Sequence, residues 1–362
     1  MNDRSSHSNP LALALDAQRQ RLTTAIEAVE TLDVGPLTRD IATDVGRTPS
    51  EVIYSDHLFE LHHYEPRESC HDIPILFVYS LINKPFILDL QPDRSVVQRL
   101  LEAGFHVYMI GWNEPPRERR LTLDEYVNEC IGNCVDVVRE RSGQESINMM
   151  GYCIGGTMAA IYAALHPDSV LNLGLIAAGL CFETDDPGGV FERWNEKAWV
   201  SPREITEAYE NVPSELLALA LSDPNSDYVS KFARLYDNRN DDAFVATFAR
   251  IERWLADGVD VAAEPFSQFI EDICRKNKIC RNELSIGDEH VEFSHIDMPV
   301  LQLTARDDHL FPPETSKPFT DVIASTDTRV VEFPTGHIGL LVSERSHESV
   351  WPEVCAWFGQ RS

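Results

Sequence analysis

The chain has 362 residues, enough for one large domain with a big core, and carries 59 acidic against 31 basic residues, a formal charge of −28. That balance argues against general nucleic-acid binding, which needs cations to displace counterions. No apolar run approaches the ~20 residues of a membrane span, and the polar N-terminus lacks a signal peptide's apolar stretch.

A cytoplasmic location is therefore expected, with the spread of acid read as a surface fitted to salt. Residues 1–10 read as disordered, and Leu, Ala and Ile spacing from Leu11 to about Val34 suggests an amphipathic helix in an N-terminal segment, 1–50. Core material, 51–180, opens with two short strands, Val52–Tyr54 and Leu58–Tyr64. His62 and His63 fall on opposite faces of the second, which suits strand histidines better than a metal pair. Ile73–Tyr79 is a nearly continuous apolar run, as in a parallel strand covered on both faces. The loop Ser80–Phe86 follows. A helix over Arg94–Ala103, capped by Gly104, leads to a strand at Phe105–Ile110 and a loop at Gly111–Pro116. Thr122 and Glu125 have capping-box spacing and open a helix running to about Arg141. Strand alternating with helix predicts a doubly wound α/β sheet.

The centre of the chain is Gly151-Tyr152-Cys153-Ile154-Gly155-Gly156. An apolar strand from Ile147 leads in and a small-residue helix, Thr157–Leu165, leads out. Strand, Gly-x-nucleophile-x-Gly and helix is the context of a nucleophile elbow, with Cys153 where serine is usual. The start of a helix favours a thiolate there.

A strand at Val170–Ala178 follows, with Gly174 marking a close backbone approach. From 181 to 295 the periodicity is mainly helical, like a cap inserted after the nucleophile half of the core. Its aromatics (Trp194, Trp199, Tyr209, Phe232, Tyr236, Phe244, Phe248 and Trp254) read as packing residues before a substrate site. The core resumes over 296–362. A strand at Met298–Thr304 precedes Asp307-Asp308, and a strand at Thr328–Phe333 precedes His337. Nucleophile, acid, histidine, each on a loop after a strand, is the chain order of α/β hydrolases. In that fold the loop after the Ile73–Tyr79 strand supplies one oxyanion-hole N–H, here near Leu81, and Ile154 supplies the second. The eight cysteines show no paired Cys-x-x-Cys spacing, so no metal site is expected. Disulfides are not expected in a cytosolic chain, and most cysteines read as small buried apolar residues.

Several stretches resemble polyhydroxyalkanoate synthases, most closely the catalytic subunits of the class III, two-subunit type. They are Ser80–Pro85 with Leu88-Asp89-Leu90, Leu121–Tyr126, Gly151–Gly156, Asp308-His309-Leu310 with Pro312, and Gly336-His337-Ile338. Trp254–Gly258 and Phe266–Asn277 look like that family's return from cap to core. A glycine at 111, where many relatives carry an acid before the tryptophan, is a departure. The resemblance implies an α/β-hydrolase-like fold with Cys153 as nucleophile, His337 as base and Asp308 as acid. Asp307 is the adjacent competitor, disfavoured by the Asp-His-Leu-x-Pro pattern. It further implies polymerisation of a short (R)-3-hydroxyacyl-CoA such as (R)-3-hydroxybutyryl-CoA, without a retained cofactor, since CoA is a leaving group. A noncatalytic second subunit or a homodimer, working at polyester granules, is the implied assembly. Arg117, Arg119 and Arg120, or Lys276, Lys278 and Arg281, are candidate partners for CoA phosphates, against a reading of each as solvated surface charge. The rival readings are a cysteine-dependent esterase, thioesterase or depolymerase, and a noncatalytic granule-binding protein.

Overall fold

The computed structural model describes residues 44–117, 119–182, 204, 208–221 and 228–362. The sequence-based expectations for residues 1–10, for the Leu11–Val34 helix and for Trp194 and Trp199 fall outside them. Eight strands make one sheet: β1 (Glu51–Ser55), β2 (Phe59–Tyr64), β3 (Ile75–Val78), β4 (Val107–Trp112), β5 (Ile147–Tyr152), β6 (Val170–Ile176), β7 (Val300–Ala305) and β8 (Thr328–Phe333). Their order is β1-β2-β4-β3-β5-β6-β7-β8. β2 runs antiparallel to both neighbours, and every pairing from β4 to β8 is parallel.

β3, β4, β5 and β7 are buried at every position, which is why their sequences are apolar without alternation. Such strands need cover on both faces. On one face lies α3 (Ile154–Leu165), buried from Ile154 through Ala164, an apolar helix on all sides and hence a central one. On the other face α1 (Val96–Glu102) packs with the C-terminal helix, while α2 (Gly132–Ser142) precedes β5. Gly174 shows the tightness of that second face: a Cβ there would lie 3.0 Å from the Phe358 ring. The cap contributes α4 (Ser214–Leu221), α5 (Tyr228–Asp237), α6 (Asp242–Ala256) and α7 (Ala263–Gln268), with Asn211–Val212 paired to Val261–Ala262. α8 (Gly339–Val342) and α9 (Glu344–Gly359) close the chain.

Three local expectations need correcting. Gly111 and Trp112 complete β4 instead of forming a loop, because they pair with Glu60 and Phe59 of β2. The Trp112 indole N–H also donates to the Tyr79 carbonyl at 2.8 Å, fixing the strand end against β3. The Thr122–Glu125 capping box forms, with Glu125 N–H on Thr122 Oγ1 at 3.2 Å and Thr122 N–H on Glu125 Oε2 at 2.7 Å. However, the turns that follow, Glu125–Ile131, are π-helical before α2 begins. Finally, Cys181 and Cys280 are joined by a disulfide, against the expectation of free thiols. The fold brings their Cα atoms to 5.4 Å although they lie 99 positions apart in the chain, a proximity that sequence spacing does not display. Cys130, Cys134 and Cys355 are free, and burial pushes the thiols of Cys130 and Cys355 up to about 12, so they stay protonated.

No helix among the described residues is long and apolar enough to cross a membrane. With 59 acidic side chains and 31 basic ones, many carboxylates have no cation to pair with. Repulsion among them is screened over about 10 Å at 0.1 M salt but about 3 Å at 1 M. Thermal unfolding is therefore expected to shift upward by several degrees or more between those salt levels. A transition midpoint that is flat or falls with salt would contradict this.

Candidate active site

β5 ends at Tyr152 and α3 begins at Ile154, which leaves Cys153 alone on the turn with φ 58° and ψ −130°. A non-glycine residue there stores roughly 1–3 kcal/mol of strain unless its surroundings hold it. They do. Its N–H donates to the Ile176 carbonyl at 2.9 Å, and its carbonyl accepts from Gly156 N–H at 2.9 Å. The elbow glycines are imposed by backbone contact. A Cβ on Gly151 would sit 2.5 Å from Gly156 Cα, and one on Gly155 would sit 2.4 Å from the Val78 carbonyl oxygen. Gly155→Ala is accordingly expected to cost several kcal/mol, since backbone on two central elements must move. Denaturant titration checks this, and an unchanged midpoint would show that the elbow has slack.

β7 ends at Ala305, and the turn after it points its two aspartates differently. Asp307 is exposed, whereas Asp308 is buried. Asp308 Oδ1 accepts the backbone N–H groups of Leu310 at 2.8 Å and Phe311 at 3.0 Å. Its Oδ2 accepts from Nδ1 of His337 at 2.7 Å. His337 stands on the loop after β8 and has Cys153 as its other side-chain hydrogen-bond partner. Burial pushes the imidazolium down, but the charges and hydrogen bonds of Asp308 and Cys153 outweigh burial and raise His337 to about 10. The three side chains identified in the sequence thus meet, each less than a tenth exposed.

The walls come from residues that the sequence reading did not single out for the site. The Tyr152 ring lies 5.0 Å from the His337 ring, Phe311 lies 5.9 Å from it, and Tyr79 lies 6.0 Å from Tyr152. Burial first, then the neighbouring Cys153, holds the Tyr152 hydroxyl well above its ordinary range, so it stays neutral. Their signal was positional: Tyr152 immediately precedes Cys153 and Phe311 follows Asp308 by three.

A Cβ on Gly155 would also lie 2.5 Å from the Tyr79 carbonyl oxygen, so the loop after β3 runs close to the first turn of α3. Ile154 N–H opens that helix, where backbone donors lack intrahelical partners. In the loop, Ile82 N–H is taken by Ser80 Oγ at 3.2 Å, while Leu81 N–H has no partner among the described residues. The cap fixes the same loop from above. Asn83, at φ 65°, donates to the Trp254 carbonyl at 2.9 Å, and the Trp254 indole donates to the Lys84 carbonyl at 2.8 Å. Trp254 therefore ties cap to loop besides filling space.

The two basic clusters separate clearly. Lys276 and Lys278 both pair with Asp272, at 2.8 and 3.0 Å, and Arg281 has a partner of its own. Arg119 pairs with Glu125 at 2.5 Å and donates to His57 at 2.9 Å. Arg117 and Arg120 are exposed and form no ion pair among the described residues.

Comparison with known proteins places this geometry in context. The alpha/beta hydrolase fold family matches residues 73–344, and the N-terminal family of poly-beta-hydroxybutyrate polymerase (PhaC) matches residues 11–100. The chain is 51% identical over 367 residues to the poly(3-hydroxyalkanoate) polymerase subunit PhaC of Haloarcula marismortui, covering 98% of this chain and 77% of that one. It is 52% identical over 359 residues to the Haloferax mediterranei protein of the same name, covering 98% and 73%. A soluble variant of monoglyceride lipase from Saccharomyces cerevisiae shares the fold at a TM-score of 0.55 and 13% identity, over 89% of this chain and 97% of that one.

Proposed function

This chain belongs to the poly(3-hydroxyalkanoate) polymerase family, and from that premise we propose how it polymerises short (R)-3-hydroxyacyl-CoA into polyester with release of CoA. The observation that carries the scheme is Cys153 on a strained elbow, facing a buried His337 held by Asp308.

In the scheme His337 accepts the Cys153 proton and Sγ attacks the thioester carbonyl. Ile154 and Leu81 N–H groups stabilise the tetrahedral oxyanion. Collapse breaks the carbon–sulfur bond to CoA, whose thiolate takes the proton from His337, leaving an acyl group on Cys153. His337 then removes the proton from the 3-hydroxyl of a monomer or chain end. That oxygen attacks the acyl-cysteine, an ester forms, and the Cys153 thiolate leaves and recovers the proton. Asp308 accepts from Nδ1 throughout, which keeps Nε2 available for the transfers. No retained cofactor enters these steps.

Hydrolysis by the same three residues is the competing outcome. The low exposure of Cys153, Asp308 and His337 favours polymerisation, because water must be kept from the acyl-cysteine while a hydroxyl is admitted. A noncatalytic second subunit or a homodimer, located in the cytoplasm at the granule surface, completes the proposal. Incubation with (R)-3-hydroxybutyryl-CoA at high salt, alone and with a co-expressed partner subunit, tests it through the product. Insoluble polyester in step with CoA supports the scheme. Free hydroxy acid alone would make the protein a thioesterase.

A further inference from the structure

Resting on the synthase reading, we propose that the cavity lined by Arg117, Arg119 and Arg120 receives the phosphorylated nucleotide end of the acyl-CoA. Arg117 and Arg120 serve there as phosphate ligands.

Val78 of β3 pairs with Ile110 of β4 on one side and with Gly151 of β5 on the other. Trp112 and Cys153, each two residues further on, therefore stand on the same rim of the sheet. Two strand spacings, about 10 Å, separate them. Arg117, Arg119 and Arg120, five to eight positions after Trp112, line the cavity. The cap reaches down to it, since Asn211 Nδ2 donates to the Pro115 carbonyl at 2.7 Å. A nucleotide bound there leaves its pantetheine arm to run inward to Cys153, a reach that arm covers when extended.

The cavity measures about 1060 Å³ and is lined by Arg117, Arg119, Arg120 and Tyr209 among others. That size suits a nucleotide, as small-molecule sites run from roughly 300 to 1,000 Å³. A chain of charge −28 repels a phosphorylated substrate, so entry needs local cations. Arg119 is committed to Glu125, which leaves Arg117 and Arg120 with guanidinium forks unpaired among the described residues. Such forks match phosphate oxygens two at a time. Carboxylates line the cavity too: Glu210, Asp260 and Glu264. Asp260 Oδ1 is held by Ser214 N–H at 2.9 Å, and acceptors of this kind suit the donating amino and hydroxyl groups of a nucleoside. Tyr209, also in the lining, is the aromatic side chain available to stack on the base.

The test uses full-length protein, wild type and Arg117→Ala/Arg120→Ala, in two assays at one salt concentration. Calorimetry with adenosine 3′,5′-bisphosphate measures the nucleotide end alone. Steady-state kinetics compare (R)-3-hydroxybutyryl-CoA with the N-acetylcysteamine thioester of the same acid, which has no nucleotide. The proposal expects the double variant to lose about tenfold or more in bisphosphate affinity. It also expects KM for the CoA thioester to rise about tenfold at constant kcat, with the truncated thioester unaffected. Arg117→Lys/Arg120→Lys is expected to recover part of the loss. Unchanged bisphosphate affinity, or an equal loss on both thioesters, overturns the proposal. If wild type turns over neither thioester yet binds the bisphosphate through these arginines, the nucleotide site stands and the synthase reading falls.

Discussion

Cys153→Ala is expected to lower CoA release from (R)-3-hydroxybutyryl-CoA by at least about 10⁴-fold, because the proposed scheme routes every acyl transfer through the Cys153 thiol. The comparison is clean in physical terms. Alanine keeps the Cβ, and the backbone bonds that hold the turn, Cys153 N–H to Ile176 and Gly156 N–H to Cys153, do not involve the side chain. Thermal stability should consequently stay close to wild type, while covalent labelling by radiolabelled acyl-CoA, expected of wild type, should be absent from the variant. Cys153→Ser should also fall far below wild type, since the hydroxyl is a poorer nucleophile than a thiolate and its ester a poorer acyl donor. More than a tenth of wild-type CoA release in the alanine variant, with normal folding, would remove Cys153 from the mechanism.

Asp308→Asn is expected to cost roughly 10⁴-fold as well, by a different route. The amide is held by the same Leu310 and Phe311 N–H groups, but it presents no negative oxygen to Nδ1 of His337. An Asn amide N–H pointing at Nδ1 selects the tautomer with the proton on Nε2, so the ring no longer accepts from Cys153. Asp307→Asn, one residue away and exposed, should retain activity close to wild type. A reversed pattern, with Asp307 essential and Asp308 dispensable, would exchange their assignments. The same pair yields a pH signature. His337 is raised from 6.5 to about 10, so its contribution to stability is fully present below pH 6.5 and is lost as pH climbs through about 10. Asp308→Asn removes the main charge that raises it and leaves burial to push it down. The stability gap between wild type and variant should therefore be widest near neutral and lower pH and should narrow toward pH 10.

The meeting of Cys153, Asp308 and His337 was more legible in the sequence than the walls around them. Cys153 was legible because an elbow constrains its own neighbours: glycines at 151, 155 and 156 exist where helix and strand backbones touch. β3, β5 and β7 were legible because strands buried on both faces leave unbroken apolar runs. β4 was misplaced by two residues because Gly111 reads as a turn, and only its pairing with β2 shows otherwise. The π-helical turns at Glu125–Ile131 left no mark, since i→i+5 bonding follows from packing rather than from a residue code. Trp254 and Asn83 escaped for a related reason. Their bond joins residues 171 apart, and nothing local to either position records the other.

The bond between Cys181 and Cys280 has a consequence for how the chain comes apart. It turns the intervening 98 residues into a covalent ring that opens and shuts at a single stem, directly beside the Thr315 carbonyl that receives Leu180 and Cys181 N–H. A protease that nicks the ring once anywhere does not release a piece. The nicked protein migrates as one species without reductant and as two with it. A second nick frees an internal peptide, yet still leaves the two halves that carry Cys153 and His337 stapled together.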